Sequence, residues 1–334
     1  MSISGQSVVV EWAPFRISPW FRPMVWGWPD IRPWYDREAG PEPIGEVWLT
    51  GDQCVVETGA HAGKTLASLF ADTPEALMGA AVPSPGSPLL IKVIFAKAKL
   101  SVQVHPDDAM AHKYGEPRGK TECWYALAAE PGAQVALGLK PGVTLDQVKA
   151  GIAAGTLENC LGVLPVVAGD MIFVDAGTVH AIWPGSILLE IQQNSDITYR
   201  MYDYGRPREL HIEKSIEATR LLTRAGKVPV HPAADRATLI DVEYFRVERV
   251  PVTGSRSAVA LRGQGEPGTG LAYLFAAAGA GCISGTGFDP VELPTRGLVA
   301  VPASAPDFIL EDLGGLDLIR ITPNWPGRSP GRPA

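Results

Sequence analysis

Residues 100–105, LSVQVH, place an amide and an imidazole on one face of a predicted β-strand. Apolar and polar residues alternate until Pro106, and a period of two is typical of a strand whose side chains point to opposite faces. Gln103 and His105 therefore project to the same side. Both side chains can bind a metal ion, but two ligands do not define a site. A hydrogen-bonded, purely structural histidine is the alternative.

A second strand-like run, RGKTECWY at 118–125, offers further polar groups. In an extended chain Lys120 and Glu122 share one face, so an ammonium group and a carboxylate project together. The alternative is an exposed ion pair, which contributes about 1 kcal/mol or less.

The segment 169–185, GDMIFVDAGTVHAIWPG, is similar to the second sequence motif of the cupin superfamily. In that motif a Gly precedes a strand, and a Pro-x-Gly turn leads to a metal-binding His. Gly169, Gly177 and His180 stand at the corresponding spacings, whereas Asp175 stands where the motif has Pro. This difference is expected to change the rigidity of the turn more than metal binding.

A third run, EIQQNSDITYRMY at 190–202, reads as one strand with a polar face. The residues of that parity are Glu190, Gln192, Asn194, Asp196, Thr198, Arg200 and Tyr202. Such a row either faces solvent or lines a wet cavity inside a β-barrel. Acid, amide and guanidinium groups together would suit a polyol or an anionic sugar.

The composition predicts a soluble, mainly β protein. The chain has 334 residues, of which 46% are hydrophobic and 19% are charged, and 30 prolines and 36 glycines divide it into short segments. Strands are predicted at 88–96, 123–130, 133–139, 170–177, 186–193, 196–204, 244–252, 271–278 and 316–323. Helices are predicted from Thr65, from Thr144 with Gln147 as a capping box, and over 211–222.

A polar stretch near 225–240 predicts a linker between two domains. We expect a catalytic domain with helical insertions at 1–225, a metal-free C-terminal domain at 226–323 and a disordered tail at 324–334.

Charge and hydropathy argue against two classes of partner. The net charge is −7 and no basic block occurs, so nucleic-acid binding is not expected. No long apolar run or secretion signal is present, so we expect no membrane association and a cytoplasmic location. The four cysteines form no C-x-x-C pair, which fits reduced thiols.

Taken in order, five motifs resemble type I phosphomannose isomerases in their short bacterial form. They are LSVQVHPDD, GKTECWY, AGTVHAI, QQNSDITYRMYDYGR and RELHIEKSIE. The resemblance is dense over 88–218 and weaker elsewhere. It implies two cupin (jelly-roll) barrels, with a few short helices in or after the first, and interconversion of mannose 6-phosphate and fructose 6-phosphate through a cis-enediol(ate).

The same resemblance implies a ligand set and roles for the site residues. One Zn²⁺ per chain is expected on Gln103, His105, Glu122 and His180, with Mn²⁺, Fe²⁺ or Co²⁺ as substitutes. Lys120 is expected to be the catalytic base. Arg200 is expected to stabilise the enediolate or the sugar oxygens, Asp196 to assist ring opening or orient Arg200, and Glu190 to contact the substrate. The sugar phosphate is the expected partner, and the family favours monomers.

Three other functions stay open: a non-catalytic metal- and sugar-binding cupin, an isomerase or epimerase of another sugar, and an iron dioxygenase. The Lys120–Glu122 and Asp196–Arg200 pairs favour an enzyme, because a binding module needs no base beside its ion.

Other candidates are less specific. Arg206 and Arg208 are candidates for binding the phosphate. An aromatic cluster is expected to be packed core rather than a sugar-stacking wall: Trp26, Trp28, Trp34 and Tyr35. Four histidines are expected to be ordinary surface or capping residues: His61, His112, His211 and His231.

Overall fold

The computed structural model describes residues 11–38, 40–79, 86–229, 231–232, 236–257, 261 and 270–324. These residues form antiparallel sheets with a few short helices, which confirms the mainly β fold class. The closure of two separate barrels stays a prediction, and the expected tail lies outside the described residues from 325 onward. Among the described residues, no helix combines the length and apolar character needed to cross a membrane.

The helices are α1 (Leu66–Asp72), α2 (Pro74–Met78), α3 (Asp108–Lys113), α4 (Leu145–Ala154) and α5 (Ile212–Ala218), with a 3-10 turn at Leu157–Cys160. The strands are β1 (Phe15–Ser18), β2 (Trp20–Trp28), β3 (Ile44–Trp48), β4 (Val55–Val56), β5 (Leu89–Phe95), β6 (Val102–Val104), β7 (Glu122–Ala129), β8 (Gln134–Leu139), β9 (Leu161–Pro165), β10 (Met171–Val174), β11 (His180–Ile182), β12 (Ser186–Gln193), β13 (Tyr199–Tyr202), β14 (Gly226–Lys227), β15 (His231–Pro232), β16 (Ala237–Asp241), β17 (Phe245–Pro251), β18 (Ser255–Ser257), β19 (Ala272–Ala278), β20 (Gly281–Gly285), β21 (Val291–Leu293), β22 (Leu298–Val301), β23 (Phe308–Asp312) and β24 (Asp317–Pro323).

One compact unit comprises Phe21–Trp48 and Leu89–Pro229. It contains a seven-stranded sheet in the order β14-β10-β7-β12-β5-β3-β2 and a five-stranded sheet in the order β13-β6-β11-β8-β9. All residues of the central strands β5 and β12 are buried. Apolar side chains from both sheets form a common core, including Trp26, Trp124 and Val135. Polar side chains on these strands therefore lie inside the unit and not on a solvent-facing surface.

The other unit comprises the described parts of Met1–Trp20, Leu49–Pro88 and Val230–Ala334. It has an eight-stranded and a four-stranded antiparallel sheet. Strand β1 pairs with β22, with Phe15 opposite Ala300, so an N-terminal segment completes a sheet of C-terminal strands. This division differs from the predicted single boundary at 225, because the pairing joins residues nearly 300 positions apart and leaves no local signal in the sequence.

Local signals in the sequence correctly placed helix α4. The Thr144 hydroxyl accepts a hydrogen bond from Gln147 N at 3.2 Å, and Gln147 Oε1 accepts one from Thr144 N at 2.8 Å. The capping box is therefore confirmed.

The predicted continuous strand over 190–202 is wrong. Strand β12 ends at Gln193, β13 begins at Tyr199, and Ser195 N donates to Gln193 O at 2.7 Å in a turn between them. Because the chain turns here, alternate residues before and after the turn do not lie on one face of a single strand.

Thiol burial gives a prediction for cysteine reactivity. Burial raises the pKa of Cys54 to about 12 and that of Cys123 well above its usual value. Burial also raises the pKa of Cys282, but Cys282 and Cys160 are only half-buried and so open to a reagent. Because the thiolate is the nucleophile, brief iodoacetamide treatment of the folded protein at pH 8 should label Cys160 and Cys282 well before the other two. Peptide mass spectrometry measures this order, and equal labelling of all four would contradict it.

Candidate active site

A cavity of about 300 Å³ lies in the unit formed by Phe21–Trp48 and Leu89–Pro229. Strands of both sheets contribute polar side chains to its wall. The lining residues used below are Arg22, Glu46, Lys92, Ser101, Gln103, Lys120, Glu122, Trp124, Glu190, Asp196, Arg200, Arg208 and His211. Of the two alternatives for the polar residues at 190–202, the wet cavity therefore holds for Glu190, Asp196 and Arg200.

Three buried side chains converge at this cavity. His105 follows β6, His180 begins β11 and Glu122 begins β7, so the two sheets supply them jointly. Their ligand atoms all lie within 4.8 Å of one another. The Glu122 carboxylate is 3.6 Å from His105 Nε2 and 3.5 Å from His180 Nε2. These three side chains could together hold a metal ion.

Gln103 completes the group. It lies directly opposite His180 in the β6–β11 pairing, and its Nε2 is 3.2 Å from His180 Nε2 and 3.4 Å from His105 Nε2. Its Oε1 accepts a hydrogen bond from Ser101 Oγ at 3.1 Å. A half-turn of the amide would bring Oε1 to the histidines and leave Nε2 against the Ser101 hydroxyl, which can also accept. Gln103 can therefore offer an oxygen ligand.

The two histidines are neutral at neutral pH. Burial, followed by the nearby Lys120 ammonium, holds the pKa of His105 well below its usual value. Burial lowers the pKa of His180 to about 4, although its bond to the Thr178 carbonyl opposes the shift. His180 Nδ1 donates to that carbonyl at 2.9 Å, which leaves the Nε2 lone pair for the site.

The turn before His180 explains the departure from the cupin motif. Gly177 has φ of +90°, and a Cβ there would meet the Arg220 side chain at 2.7 Å, so glycine is required. Asp175 stabilises the turn where the motif has proline, because its carboxylate accepts from Thr178 Oγ1 at 2.9 Å and from Arg224 N at 3.1 Å.

The donor set fits a divalent transition metal. Two neutral imidazoles, one carboxylate and one amide are borderline ligands that suit zinc and its neighbours. Glu122 Oε2 is buried with no hydrogen-bond donor among the described residues, although the Lys120 ammonium lies 3.1 Å away as an ion pair. A buried carboxylate oxygen of this kind is suited to a cation.

Lys120 lies beside the cluster. Its Nζ is 3.1 Å from His105 Nε2 and 3.7 Å from Glu190 Oε1, and its side chain is 4% exposed. The structure thus brings together Lys120, Glu122 and Glu190 inside the cavity, and the alternative of an exposed surface pair is wrong for Lys120 and Glu122.

A second buried lysine was not anticipated from the sequence. Lys92 on β5 lies opposite Glu190 on β12, with 3.1 Å between Nζ and Glu190 Oε1 and 3.5 Å to Glu46 Oε1. Burial alone would lower the pKa of Lys92, but Glu190 and Glu46 outweigh it and raise the pKa. Trp124 Nε1 donates to the other Glu190 oxygen at 3.2 Å.

Removal of this lysine charge should destabilise the fold. Lys92→Met would leave the Glu46 and Glu190 carboxylates buried near each other, and loss of one partner of a buried ion pair costs about 3–5 kcal/mol. Urea unfolding measures the change. Lys97→Met, at an exposed lysine of the same segment, is the control. A Lys92→Met loss no larger than that of the control would contradict the prediction.

Arg200 and Asp196 both line the cavity but do not contact each other. Arg200 Nη1 donates to Glu209 O at 2.9 Å, and its Nε is buried with no partner among the described residues. The Asp196 carboxylate instead lies 3.3 Å from Arg22 Nη1 and is 60% exposed. The expectation that Asp196 orients Arg200 is therefore not met, because the chain turns between β12 and β13.

Sequence reasoning missed Arg22, Glu46, Lys92, Ser101 and His211. Lys92 interrupts the apolar run PLLIKVIFA, and a charge in the middle of a buried strand was a usable signal. His211 stands at the N-cap position of α5, as expected of a capping residue, but its side chain makes no capping hydrogen bond and lines the cavity.

The other histidines and the aromatic cluster are outside the metal cluster. His61 is buried against Trp12 and not on the surface, His112 is exposed, and the side chain of His231 lies outside the described residues. Trp28, Trp34 and Tyr35 pack edge-on against Phe95, each at 6.2 Å, and Trp26 is in the core. The packed-core prediction is confirmed for Trp26, although this residue also lines the cavity. Trp28, Trp34 and Tyr35 are only partly buried, and for them it stays a prediction.

Comparisons with known proteins agree with this site. Residues 15–137 match the family model described as phosphomannose isomerase type I, catalytic domain. A mannose-6-phosphate isomerase of Streptococcus mutans is 36% identical over 244 residues, covering 69% of this chain and 76% of the relative. One from Bacillus subtilis is 35% identical over 260 residues, covering 73% and 81%.

Solved structures extend the likeness to almost the whole chain. The crystal structure of mannose 6-phosphate isomerase from Bacillus subtilis matches with a TM-score of 0.82 and 29% identity, covering 93% of this chain and 99% of that one. From the metal cluster, the cavity and these likenesses together, the chain belongs to the type I phosphomannose isomerase family.

Proposed function

We propose that this chain is a metal-dependent isomerase that interconverts mannose 6-phosphate and fructose 6-phosphate. The observation that carries the proposal is the buried His105–Glu122–His180 cluster with Lys120 beside it in a polar cavity. Family membership supports the same reaction.

The proposed metal is one Zn²⁺ per chain, with Gln103, His105, Glu122 and His180 as its ligands. Mn²⁺, Fe²⁺ or Co²⁺ would fit the same donors. When bound, the ion would supply Lewis-acid polarisation of sugar oxygens, which would make the C–H proton beside the carbonyl easier to remove.

Lys120 is the proposed base. In the forward direction its neutral amine takes the proton from C2 of the open-chain aldose and returns it to C1. The hydroxyl proton of O2 passes to O1, so that C2 becomes the ketone and O1 the hydroxyl of the ketose. Its amino nitrogen is buried, 3.1 Å from both His105 Nε2 and Glu122 Oε2, so it lies where the reacting carbons must approach the proposed ligands.

Arg200 and Glu190 are the proposed substrate contacts. The Arg200 guanidinium would stabilise the negative charge of the enediolate, because its buried Nε has no partner among the described residues. Glu190 would accept hydrogen bonds from sugar hydroxyls. Asp196 is proposed to assist ring opening, through a carboxylate at the exposed side of the cavity.

We assign catalysis to the unit of Phe21–Trp48 and Leu89–Pro229. The other unit is proposed to be metal-free and structural.

A substrate panel tests the proposal. Purified, zinc-loaded protein should convert mannose 6-phosphate to fructose 6-phosphate in a coupled assay, whereas glucose 6-phosphate and unphosphorylated mannose should be turned over at least about 100-fold less efficiently. Absence of mannose 6-phosphate turnover in folded, metal-loaded protein would overturn the proposed function. Equal turnover of glucose 6-phosphate would overturn the assignment of the sugar.

A further inference from the structure

The loop between β13 and α5 brings Arg208 to the cavity wall and fixes it there. Asp203 is buried, and its carboxylate accepts two hydrogen bonds from Arg208, from Nε and Nη2, each at 2.7 Å. Arg208 Nη1 makes no hydrogen bond within the described part of the chain. The guanidinium is thus held by one edge and has donors left for a ligand.

His211 is fixed by the main chain of Arg200. The His211 N–H donates to Arg200 O at 2.7 Å, and His211 Nδ1 accepts from Arg200 N at 3.2 Å. Burial is the main cause that lowers the pKa of His211, so its ring is neutral at neutral pH and its proton is on Nε2. The Glu209 carboxylate is 3.9 Å from Nε2, too far for a hydrogen bond, and is 83% exposed. His211 therefore presents an N–H donor at the cavity wall.

Charge is distributed unevenly around the cavity. Glu46, Glu122 and Glu190 lie with Lys92 and Lys120 in and beside the metal cluster. Arg200 and Arg208 line another part of the wall, where burial and then repulsion from Arg208 lower the pKa of Arg200. Asp203 offsets only part of this positive charge, because it also pairs with Arg206 at 3.2 Å. Arg200 and Arg208 therefore offer an anionic group in the cavity two guanidinium partners that are not among the proposed metal ligands.

We propose that Arg208 and His211 bind the phosphate group of the sugar phosphate, and that Asp203 is the positioning residue for Arg208. This inference rests on the proposed function, because it assigns the phosphate of that substrate. Arg200 lies opposite Gln103 in the β13–β6 pairing, so the anion-binding residues adjoin the ligand strand. If the phosphate binds there, the carbon chain of the sugar would extend toward the metal cluster. Arg206, the other arginine paired with Asp203, is not part of the cavity wall and has no role in binding.

Binding of mannitol 6-phosphate, which cannot isomerise, tests the inference without turnover. Isothermal titration should show about tenfold weaker binding for His211→Asn and at least tenfold for Arg208→Gln, since hydrogen bonds to charged groups are lost. His211→Asn keeps an acceptor for Arg200 N and removes the N–H donor at the position of Nε2, which the shorter asparagine side chain does not reach. Asp203→Asn should weaken binding less than Arg208→Gln. Arg206→Gln is the matched control and should bind as the wild type does.

Phosphate-free mannitol and a kinetic readout complete the test. Mannitol affinity should be the same in all folded variants, and for mannose 6-phosphate the variants should raise KM more than they lower kcat. Wild-type affinity for mannitol 6-phosphate in both His211→Asn and Arg208→Gln would overturn the inference, as would an equal loss of mannitol binding. If Arg208→Gln does not fold, His211→Asn alone decides. A protein that binds mannitol 6-phosphate in this way but does not isomerise mannose 6-phosphate refutes the proposed function and not the anion site.

Discussion

Replacement of Lys120 by methionine is expected to lower kcat by about three orders of magnitude and to leave the bound metal unchanged. Proton transfer by a positioned side chain contributes about 10²- to 10⁴-fold to a rate, and methionine keeps the length of the lysine stem but cannot take a proton. The Lys120 side chain is buried beside His105 and Glu122 but is not in the proposed ligand set. The Lys120→Met variant should therefore lose activity but keep its bound metal.

The measurement is kcat for mannose 6-phosphate together with the metal-to-chain ratio by elemental analysis. Lys140→Met, at an exposed lysine, is the matched control and should retain activity. A Lys120→Met enzyme within tenfold of the wild type would remove Lys120 from the role of base. Loss of metal in this variant would reassign the residue to maintenance of the site.

Replacement of Glu122 by glutamine is expected to abolish both metal binding and turnover. Glu122 is the carboxylate of the cluster, and both of its oxygens lie within 3.6 Å of a histidine Nε2. The change removes the negative charge that offsets the cation and leaves the Lys120 ammonium with Glu190 alone at 3.7 Å. Replacement of a residue that only hydrogen-bonds to a metal ligand lowers metal affinity by about 10- to 100-fold. Replacement of a charged ligand itself should lower metal affinity by more than that.

Equilibrium dialysis against zinc with a competing chelator measures this loss. Glu116→Gln, at an exposed glutamate on the segment before β7, is the control and should bind zinc normally. A Glu122→Gln protein that holds one zinc per chain with near wild-type affinity would contradict the proposed ligand set. The folded state of the variant is checked by its far-UV circular dichroism.

The metal cluster was readable from the sequence because each part of it is a local pattern. Alternation in β6 puts Gln103 and His105 on one side whatever lies around them, and a glycine turn fixes the position of His180. Glu122 follows from the same parity argument in β7. The three segments converge only in the tertiary structure, and before the structure this convergence was expected only from the family resemblance.

The features that could not be predicted from the sequence depend on contacts between residues far apart in the chain. Lys92 is buried because Glu190 lies opposite it on another strand, about 100 residues later. The pairing of β1 with β22 likewise has no local signature, so the division into units could not be derived from composition. His211 has the position of a helix-capping residue, and only its contact with Arg200 shows that it belongs to the cavity.

Metal removal and restoration test the central claim most directly. Wild-type protein is stripped with a chelator, and zinc is added back in steps while fructose 6-phosphate formation from mannose 6-phosphate is followed. We expect no turnover in the stripped protein and a linear return of activity that ends at one zinc per chain, with no return in Glu122→Gln. Full activity in metal-free protein, or a folded and zinc-loaded protein that remains inactive, would contradict the account.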